Sequence, residues 1–327
     1  MSLPALRALR ERFPQAYIAV QARPWVADLY AGERFLDCVI PYVSARGAAD
    51  WGGKWRAASA LRAEHSDCAL LLPNSFDSAL VVWLAGIPRR IGYNRDRRGF
   101  LLTDAIQPPA PGEIPRHERF YYLELLRRAG ILSGPTVPDA IRFDCADPAR
   151  QAGEDRFREL GLAAPVIGVS PGAAYGGAKR WLPERFAEAA TQLAAALGAT
   201  VAVFGSKDER AIAETVSEQL RAARVVVHNF AGETSLREFI DLAAACRVFV
   251  TNDSGAMHVA AALGVPTVAV FGATDDQATG PTGPFVQVVR EPVECSPCLL
   301  RECPIDHRCM TRVSAGRVAQ AALDLLK

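Results

Sequence analysis

A short polar segment, Thr251 to His258, stands between an apolar run and a helical pattern. The apolar run predicts a buried strand, and the small residues after it predict a tight turn that opens a helix. A helix N-terminus offers unpaired N–H groups and partial positive charge to a phosphate, and Gly255 allows close backbone approach. His258 follows Ser254 by one turn, on the same side of the helix. The segment predicts an anion site; the alternative is that Asp253 or Ser254 only caps the helix.

A second loop with suitable chemistry also follows a strand pattern. Gly168 to Gly172 has the G-x-S-x-G spacing of a hydrolase nucleophile turn, but Pro171 lacks the N–H group that an oxyanion requires. What remains is a glycine-rich loop, Gly172 to Gly177, followed by Lys179. Free backbone N–H groups and a nearby ammonium suit a diphosphate leaving group. The alternative is that Lys179 and Arg180 are solvated surface charges.

A third turn of small residues, Gly272 to Asp275, again follows a strand pattern. The carboxyl ends of parallel strands meet at one edge of a sheet, where ligands bind. We therefore expect the three loops to line one crevice. An ordinary connection between a strand and a helix is the alternative for this turn.

Arginines crowd one turn-rich stretch of the first half of the chain, at positions Arg89, Arg90, Arg95, Arg97 and Arg98. The planar guanidinium suits phosphate. We interpret Arg95, Arg97 and Arg98 as candidates for binding an anionic ligand. A solvated basic loop is the alternative.

Four of the eight cysteines cluster near the end of the chain, at Cys295, Cys298, Cys303 and Cys309, with His307 between the last two. One C-x-x-C pair is compatible with zinc, but the second pair is irregularly spaced. We expect these cysteines to be structural and predict no metal site, with zinc as the alternative.

The whole chain alternates β-rich apolar runs with amphipathic helical stretches, which is typical of βαβ units. A proline-punctuated stretch between Gly134 and Pro148 breaks the rhythm and predicts a linker. The predicted domains are therefore residues 1–148 and 149–327. The predicted fold class is α/β, with two doubly wound, Rossmann-like domains of parallel sheet facing a cleft.

Charge and hydropathy exclude several classes of protein. A formal net charge of +1 argues against a general nucleic-acid binder. Residues 1–150 carry 20 basic and 16 acidic side chains, so the first half is the positive one. No apolar run approaches the roughly 18 residues of a membrane helix, so we expect a cytoplasmic protein.

Motifs along nearly the whole chain resemble those of the bacterial lipopolysaccharide heptosyltransferases. In the second half these are Pro171–Ala173, Ala178–Glu184, Gly205–Ser206 with Glu209, Asn252–His258 and Gly272–Thr274. In the first half, Asn74–Phe76, Ala85–Tyr93 and Leu101–Asp104 also match the family in order and spacing.

The resemblance implies a GT-B fold and inverting transfer of heptose from ADP-heptose to the lipopolysaccharide inner core, at the inner face of the cytoplasmic membrane. In that scheme Lys179 holds the diphosphate, and Glu209 and Thr234 lie against the adenosine. Heptose and phosphate contact Asp253, Ser254, Gly255 and His258. Arg95, Arg97 and Arg98 in the first domain become candidates for binding the phosphorylated core acceptor. The resemblance implies no metal and no other cofactor, because Lys179 and helix dipoles take the place of a cation.

The first recognisable element is the helix Leu3 to Phe13, although a βα unit is expected to begin with a strand. In the family, a strand and a Gly-Asp loop precede a helix resembling Ser2 to Arg10, and the aspartate of that loop acts as general base on the acceptor hydroxyl. The resemblance therefore implies that the catalytic residue precedes Met1, that none is present in this chain, and that this polypeptide alone is a poor catalyst.

Two other functions stay open at this point. A nucleotide-sugar epimerase of the same double fold would act on the sugar nucleotide without any acceptor. A protein that binds the donor without turnover is the second alternative.

Overall fold

The structure, a computed structural model, describes residues 1–43, 50–134 and 140–327. The chain divides into two compact units, Met1–Pro138 and Asp139–Lys327. The predicted boundary at 148/149 falls later, inside a helix that begins at Ala146. Proline at position 148 fits that helix because the first turn needs no N–H donor there. Part of the predicted linker, residues 135–139, lies outside the described residues.

Unit 1 alternates helices and strands. Its elements are α1 (Leu3–Arg12), β1 (Ala19–Ala22), β2 (Cys38–Pro41), α2 (Trp51–Ala63), β3 (Cys68–Leu71), α3 (Phe76–Leu84), β4 (Arg89–Tyr93), β5 (Asp104–Ile106) and α4 (Glu118–Arg128). Strand β1 pairs in parallel with β2, and a second parallel sheet has the order β3-β4-β5. Apolar residues of α2 and α3 share one core with β2 and β3, while α1 packs on α4.

Unit 2 begins with α5 (Ala146–Glu159) and continues the alternation to the end of the chain. Its other elements are β6 (Val166–Ser170), α6 (Pro183–Leu197), β7 (Thr200–Val203), α7 (Arg210–Ala222), β8 (Val227–Asn229), α8 (Leu236–Ala244), β9 (Val248–Asn252), α9 (Gly255–Ala262), β10 (Thr267–Phe271), α10 (Asp276–Thr279), β11 (Val286–Arg290), α11 (Arg308–Thr311) and α12 (Ala315–Asp324).

The six strands of unit 2 form one parallel sheet in the order β11-β10-β9-β6-β7-β8. Every residue of β6, β9 and β10 is buried, as expected for strands covered on both faces. Helices α6, α7 and α12 cover one face with a large aliphatic cluster. On the other face, the ring of Phe239 from α8 packs against the rings of Phe204 and Phe249.

The predicted α/β class with parallel sheets is confirmed in both units. The predicted helix at the start of the chain is present as α1. Within the described residues, no helix is long and apolar enough to cross a membrane.

Helices α5 and α8 pack so closely that one added methyl group between them is expected to lower the stability of the protein. A Cβ atom at Gly153 would lie 2.0 Å from the carbonyl oxygen of Asp241 in α8, so Gly153→Ala must push the helices apart. We expect a loss of about 1–3 kcal/mol in the free energy of unfolding, measured by urea denaturation. Gly316→Ala in α12 is the matched control, because its nearest neighbour would be 3.8 Å away, and it is expected to stabilise slightly. If both substitutions changed the free energy of unfolding by the same amount, the close packing of α5 against α8 would be contradicted.

Candidate functional site

The polar loops singled out in the sequence lie at the carboxyl ends of β6, β9 and β10. In a sheet of this order, the crevice for ligands opens where the strand order reverses, between β6 and β9. Residues 171–181 follow β6, Asp253 and Ser254 follow β9, and the turn that begins at Gly272 follows β10. The structure therefore brings the three predicted loops to one edge of the unit 2 sheet.

The carboxylate of Asp253 joins all three loops. Its Oδ2 atom accepts a hydrogen bond from Lys179 Nζ at 2.6 Å and another from Thr274 Oγ1 at 2.6 Å. The side chains of Lys179 and Asp253 are 15% and 6% exposed, so water screens this ion pair far less than a surface pair. The alternative that Lys179 is a solvated surface charge is therefore wrong.

The start of α9 is not closed by a side chain of the preceding turn. Ser254 is the N-cap residue, yet its side chain accepts no hydrogen bond from the helix, and its Oγ lies 3.2 Å from Thr251 Oγ1. The carboxylate of Asp253 is engaged with Lys179 instead. The capping alternative is therefore wrong. A Cβ atom added to Gly255 would meet nothing within 4 Å, so the space beside the start of α9 is open on that side.

His258 lies in α9 one turn after Ser254 and is half-buried. The neighbouring side chain of Met257 packs in the core against Phe271, which sets the buried face of this helix. His258 therefore lies next to the core rather than in it, and its contact with a bound ligand stays a prediction.

Asn252, the last residue of β9, ties the β9 turn to the glycine-rich loop. Its side chain is fully buried, accepts a hydrogen bond from the Trp181 N–H at 2.9 Å and donates to the Pro171 carbonyl at 2.7 Å. The indole of Trp181 is also fully buried and donates to the Val313 carbonyl at 3.1 Å. Both ends of the loop that carries Lys179 are thus anchored in the core.

Residues 295–309, which contain the clustered cysteines, form a second support for the glycine-rich loop. The Ala178 N–H donates to the Arg301 carbonyl at 2.9 Å, and the Gly177 N–H donates to Glu302 at 2.9 Å. A Cβ atom at Gly176 would lie 2.2 Å from the Arg301 carbonyl oxygen, so only glycine permits this approach.

The same 295–309 segment reaches the side of Lys179. Tyr175 donates from its hydroxyl to the Leu299 carbonyl at 3.0 Å, and its ring centroid lies 4.9 Å from Lys179 Nζ. The Leu299 N–H donates to the Ala273 carbonyl at 2.8 Å, which links this segment to the turn after β10. The ammonium is therefore positioned by a carboxylate on one side and an aromatic face on another.

Glu209 lies in the loop after β7, next to the glycine-rich loop, and Thr234 lies in the loop after β8. A Cβ atom at Gly172 would lie 2.2 Å from a carboxylate oxygen of Glu209, so these two residues touch. Glu209 Oε2 accepts from the Ser206 N–H at 2.8 Å. The Gly232 N–H, two residues before Thr234, donates to the Gly205 carbonyl at 2.8 Å and so holds the two loops together.

In unit 1 the structure separates the three candidate arginines. Arg95 and Arg97 are exposed, whereas Arg98 is fully buried and desolvation lowers its pKa. The Arg98 guanidinium donates to the Ser75 carbonyl at 3.2 Å and to Ser78 Oγ at 3.0 Å, and it also bonds the Pro73 carbonyl. The expectation that Arg98 meets an anion directly does not fit this geometry, because its donors already hold the loop after β3.

The clustered cysteines carry free thiols. Burial raises the pKa of the Cys309 thiol. In the part of the chain that the structure describes, no three or more His, Cys, Asp or Glu side chains are grouped to hold a metal ion. The structural role expected for this segment agrees with its contacts to the glycine-rich loop.

A cavity of about 1010 Å³ lies elsewhere in unit 2, near the amino ends of β6 and β9. It is lined by residues such as Pro165, Arg247 and Phe285 and contains none of the predicted site residues. The polar crevice therefore lies at the opposite edge of the sheet.

Two residues of the site were not assigned a role from the sequence. Thr274 lies in the predicted small-residue turn, but only the strand order brings it to Asp253. Asn252 lies in the predicted polar segment, and its position as the last strand residue is the signal that its side chain points into the protein.

Known proteins resemble this chain over most of its length. The family model for glycosyltransferase family 9 (heptosyltransferase) matches residues 54–308. Lipopolysaccharide heptosyltransferase 2 of Salmonella typhimurium strain LT2 is 36% identical over 295 residues, which is 89% of this chain and 84% of that protein.

Solved structures extend the likeness over both units. The structure of E. coli ADP-heptose lps heptosyltransferase II has a TM-score of 0.81 and 31% identity, covering 99% of this chain and 94% of that one. A UDP-GlcNAc 2-epimerase from Methanocaldococcus jannaschii has a TM-score of 0.52 and 12% identity, covering 100% and 89%, a likeness that shows the fold alone. The predicted GT-B type of fold is confirmed. The chain is a glycosyltransferase and belongs to family 9, the heptosyltransferases.

Proposed function

We propose that this enzyme transfers L-glycero-D-manno-heptose from ADP-heptose to the lipopolysaccharide inner core with inversion, as a heptosyltransferase of the second type. The observation that carries the proposal is the Lys179–Asp253 pair beside the open start of α9. An ammonium and a helix N-terminus together suit the charge that develops on a departing diphosphate. The relatives named for this reaction support the choice of donor and acceptor.

In this proposal the donor spans the carboxyl edge of the unit 2 sheet. Lys179 and the first N–H groups of α9 hold the diphosphate, so no metal ion or other cofactor is needed. Glu209 and Thr234 lie against the adenosine. The heptose contacts Asp253, Ser254 and His258, and Gly255 leaves room for the phosphate to approach the backbone.

The acceptor side of the proposal rests on Arg95 and Arg97, which are exposed in the loop after β4. Their guanidinium groups suit the phosphorylated inner core of lipopolysaccharide. Arg98 contributes indirectly, by fastening that loop to the end of β3. Because this acceptor is a glycolipid, we place the enzyme at the inner face of the cytoplasmic membrane as a peripheral protein.

Acceptor dependence tests the proposed function. The enzyme is incubated with ADP-heptose alone and with ADP-heptose plus a core acceptor that ends in its first heptose, and ADP release is measured. We expect release only with acceptor. An altered sugar nucleotide without acceptor would instead indicate the epimerase, and ADP-heptose binding without release in either mixture would indicate a donor-binding protein without turnover.

Removing the Lys179 ammonium tests the diphosphate site. For Lys179→Met we expect kcat/KM for ADP-heptose to fall by about 100-fold or more, since one donor to a developing charge is worth roughly 100- to 1000-fold. Arg185→Met is the control, because Arg185 is exposed on α6 and pairs with Glu188. Thermal unfolding of both variants checks the fold. An intact kcat/KM in folded Lys179→Met would refute this assignment.

Neutralising two arginines tests the acceptor side. In the double variant Arg95→Gln with Arg97→Gln, we expect a higher KM for the core acceptor and an unchanged KM for ADP-heptose, because only acceptor phosphates lose a partner. The matched control replaces Arg156 and Arg158, which are exposed on α5 of unit 2. No change in the acceptor KM, or the same change in the control, would count against the assignment.

A further inference from the structure

Unit 1 exposes more aromatic surface than a folded domain normally leaves in water. Of the five tryptophans in the chain, only Trp181 is buried, and the other four are about half exposed or more: Trp25 66%, Trp51 54%, Trp55 48% and Trp83 49%. Phe100 is 76% exposed and Phe76 is 39% exposed. Tryptophan is highly buried on average, so several exposed together indicate a contact surface.

Four of these aromatic side chains follow strands of unit 1, two in each of its parallel sheets. Each follows the carboxyl end of a strand: Trp25 after β1, Trp51 after β2, Phe76 after β3 and Phe100 after β4. We call this set the aromatic rim. Trp83 is near the other end of α3, before the amino end of β4, and is not part of the rim.

Contacts between neighbouring loops link the rim in two groups, one around Trp25 and one that contains Trp51, Phe76 and Phe100. The Arg23 guanidinium lies 5.5 Å from the Trp25 ring centroid and 4.5 Å from that of Tyr42, at the end of β2. Lys54, beside the Trp51 ring, pairs with Asp77 at 3.4 Å and so joins the starts of α2 and α3. The rings of Phe76 and Phe100 lie 6.2 Å apart.

Positive charge accompanies the rim. Arg95 and Arg97 are exposed just before Phe100, and neither forms an ion pair with another residue that the structure describes. Asp96 and Arg97 have φ values of 52° and 56°, a costly backbone for residues other than glycine. Arg98 holds that turn in place through its bonds to the end of β3.

We infer that the aromatic rim docks unit 1 on an anionic lipid bilayer, with the rings at the headgroup level. Arg23, Arg95 and Arg97 add a positive field that attracts the anionic surface, while Arg95 and Arg97 keep the core phosphates as their direct contacts. Aromatic side chains favour the interface between water and lipid, and basic residues beside them add attraction to anionic lipid. Combining the two kinds of contact gives stable peripheral binding without a spanning helix. The inference rests on the proposed function, because a glycolipid acceptor requires the enzyme to reach the membrane.

Vesicle flotation tests the rim with the full chain. Wild-type protein is mixed with phosphatidylcholine vesicles that contain or lack phosphatidylglycerol. We expect binding to the anionic vesicles, weakened by high salt. The double variant Trp25→Ser with Phe100→Ser is expected to lose at least tenfold in vesicle affinity. Trp83→Ser, which removes a half-exposed ring outside the rim, is expected to bind as wild type.

A second readout separates this inference from the proposed function. Transfer to a deacylated, water-soluble core acceptor is expected to be unchanged in the rim variant, because no lipid takes part. Three results would overturn the inference: wild type that binds no vesicle, a rim variant that binds like wild type, or a rim variant that loses activity on the soluble acceptor, which would make the rings a sugar-binding surface. If wild type bound vesicles but transferred no heptose to either acceptor, the proposed function would be refuted while membrane binding by the rim would still be supported.

Discussion

The site of unit 2 depends on one shielded carboxylate, Asp253. It lies at the end of β9, and its charge is compensated by Lys179 from the loop after β6 and by the hydroxyl of Thr274 from the turn after β10. Removing one partner of such a pair typically costs about 3–5 kcal/mol, because the remaining charge is left without compensation. The three loops are therefore held together by electrostatics, and the parallel sheet brings them within reach.

The rest of the site keeps this pair in place without any ligand. Asn252 and Trp181 anchor the glycine-rich loop in the core, and residues 295–309 brace it from outside through backbone hydrogen bonds. Transition-state charge is stabilised best by groups that are already fixed before the reaction. This explains why a loop rich in glycine, which would otherwise be costly to order, is suited to holding a diphosphate.

The local sequence predicted the parallel α/β fold and the three loops, because alternating patterns and small residues after strands act over short distances. It did not predict the contact of Thr274 with Asp253, which depends on the order of strands in the sheet. Nor did it separate Arg98 from Arg95 and Arg97, since burial of one guanidinium depends on carbonyl groups supplied by a distant turn. The choice of ADP-heptose came from family resemblance, because phosphate chemistry alone does not distinguish nucleotides or sugars.

The most direct test of the central claim is a crystal structure of the protein with ADP. We expect a diphosphate oxygen to accept hydrogen bonds from Lys179 Nζ and from the first N–H groups of α9, near Gly255. The claim would be contradicted by ADP bound at the opposite edge of the sheet, in the cavity near Arg247, or by a diphosphate out of reach of Lys179 while its ion pair with Asp253 stays unchanged.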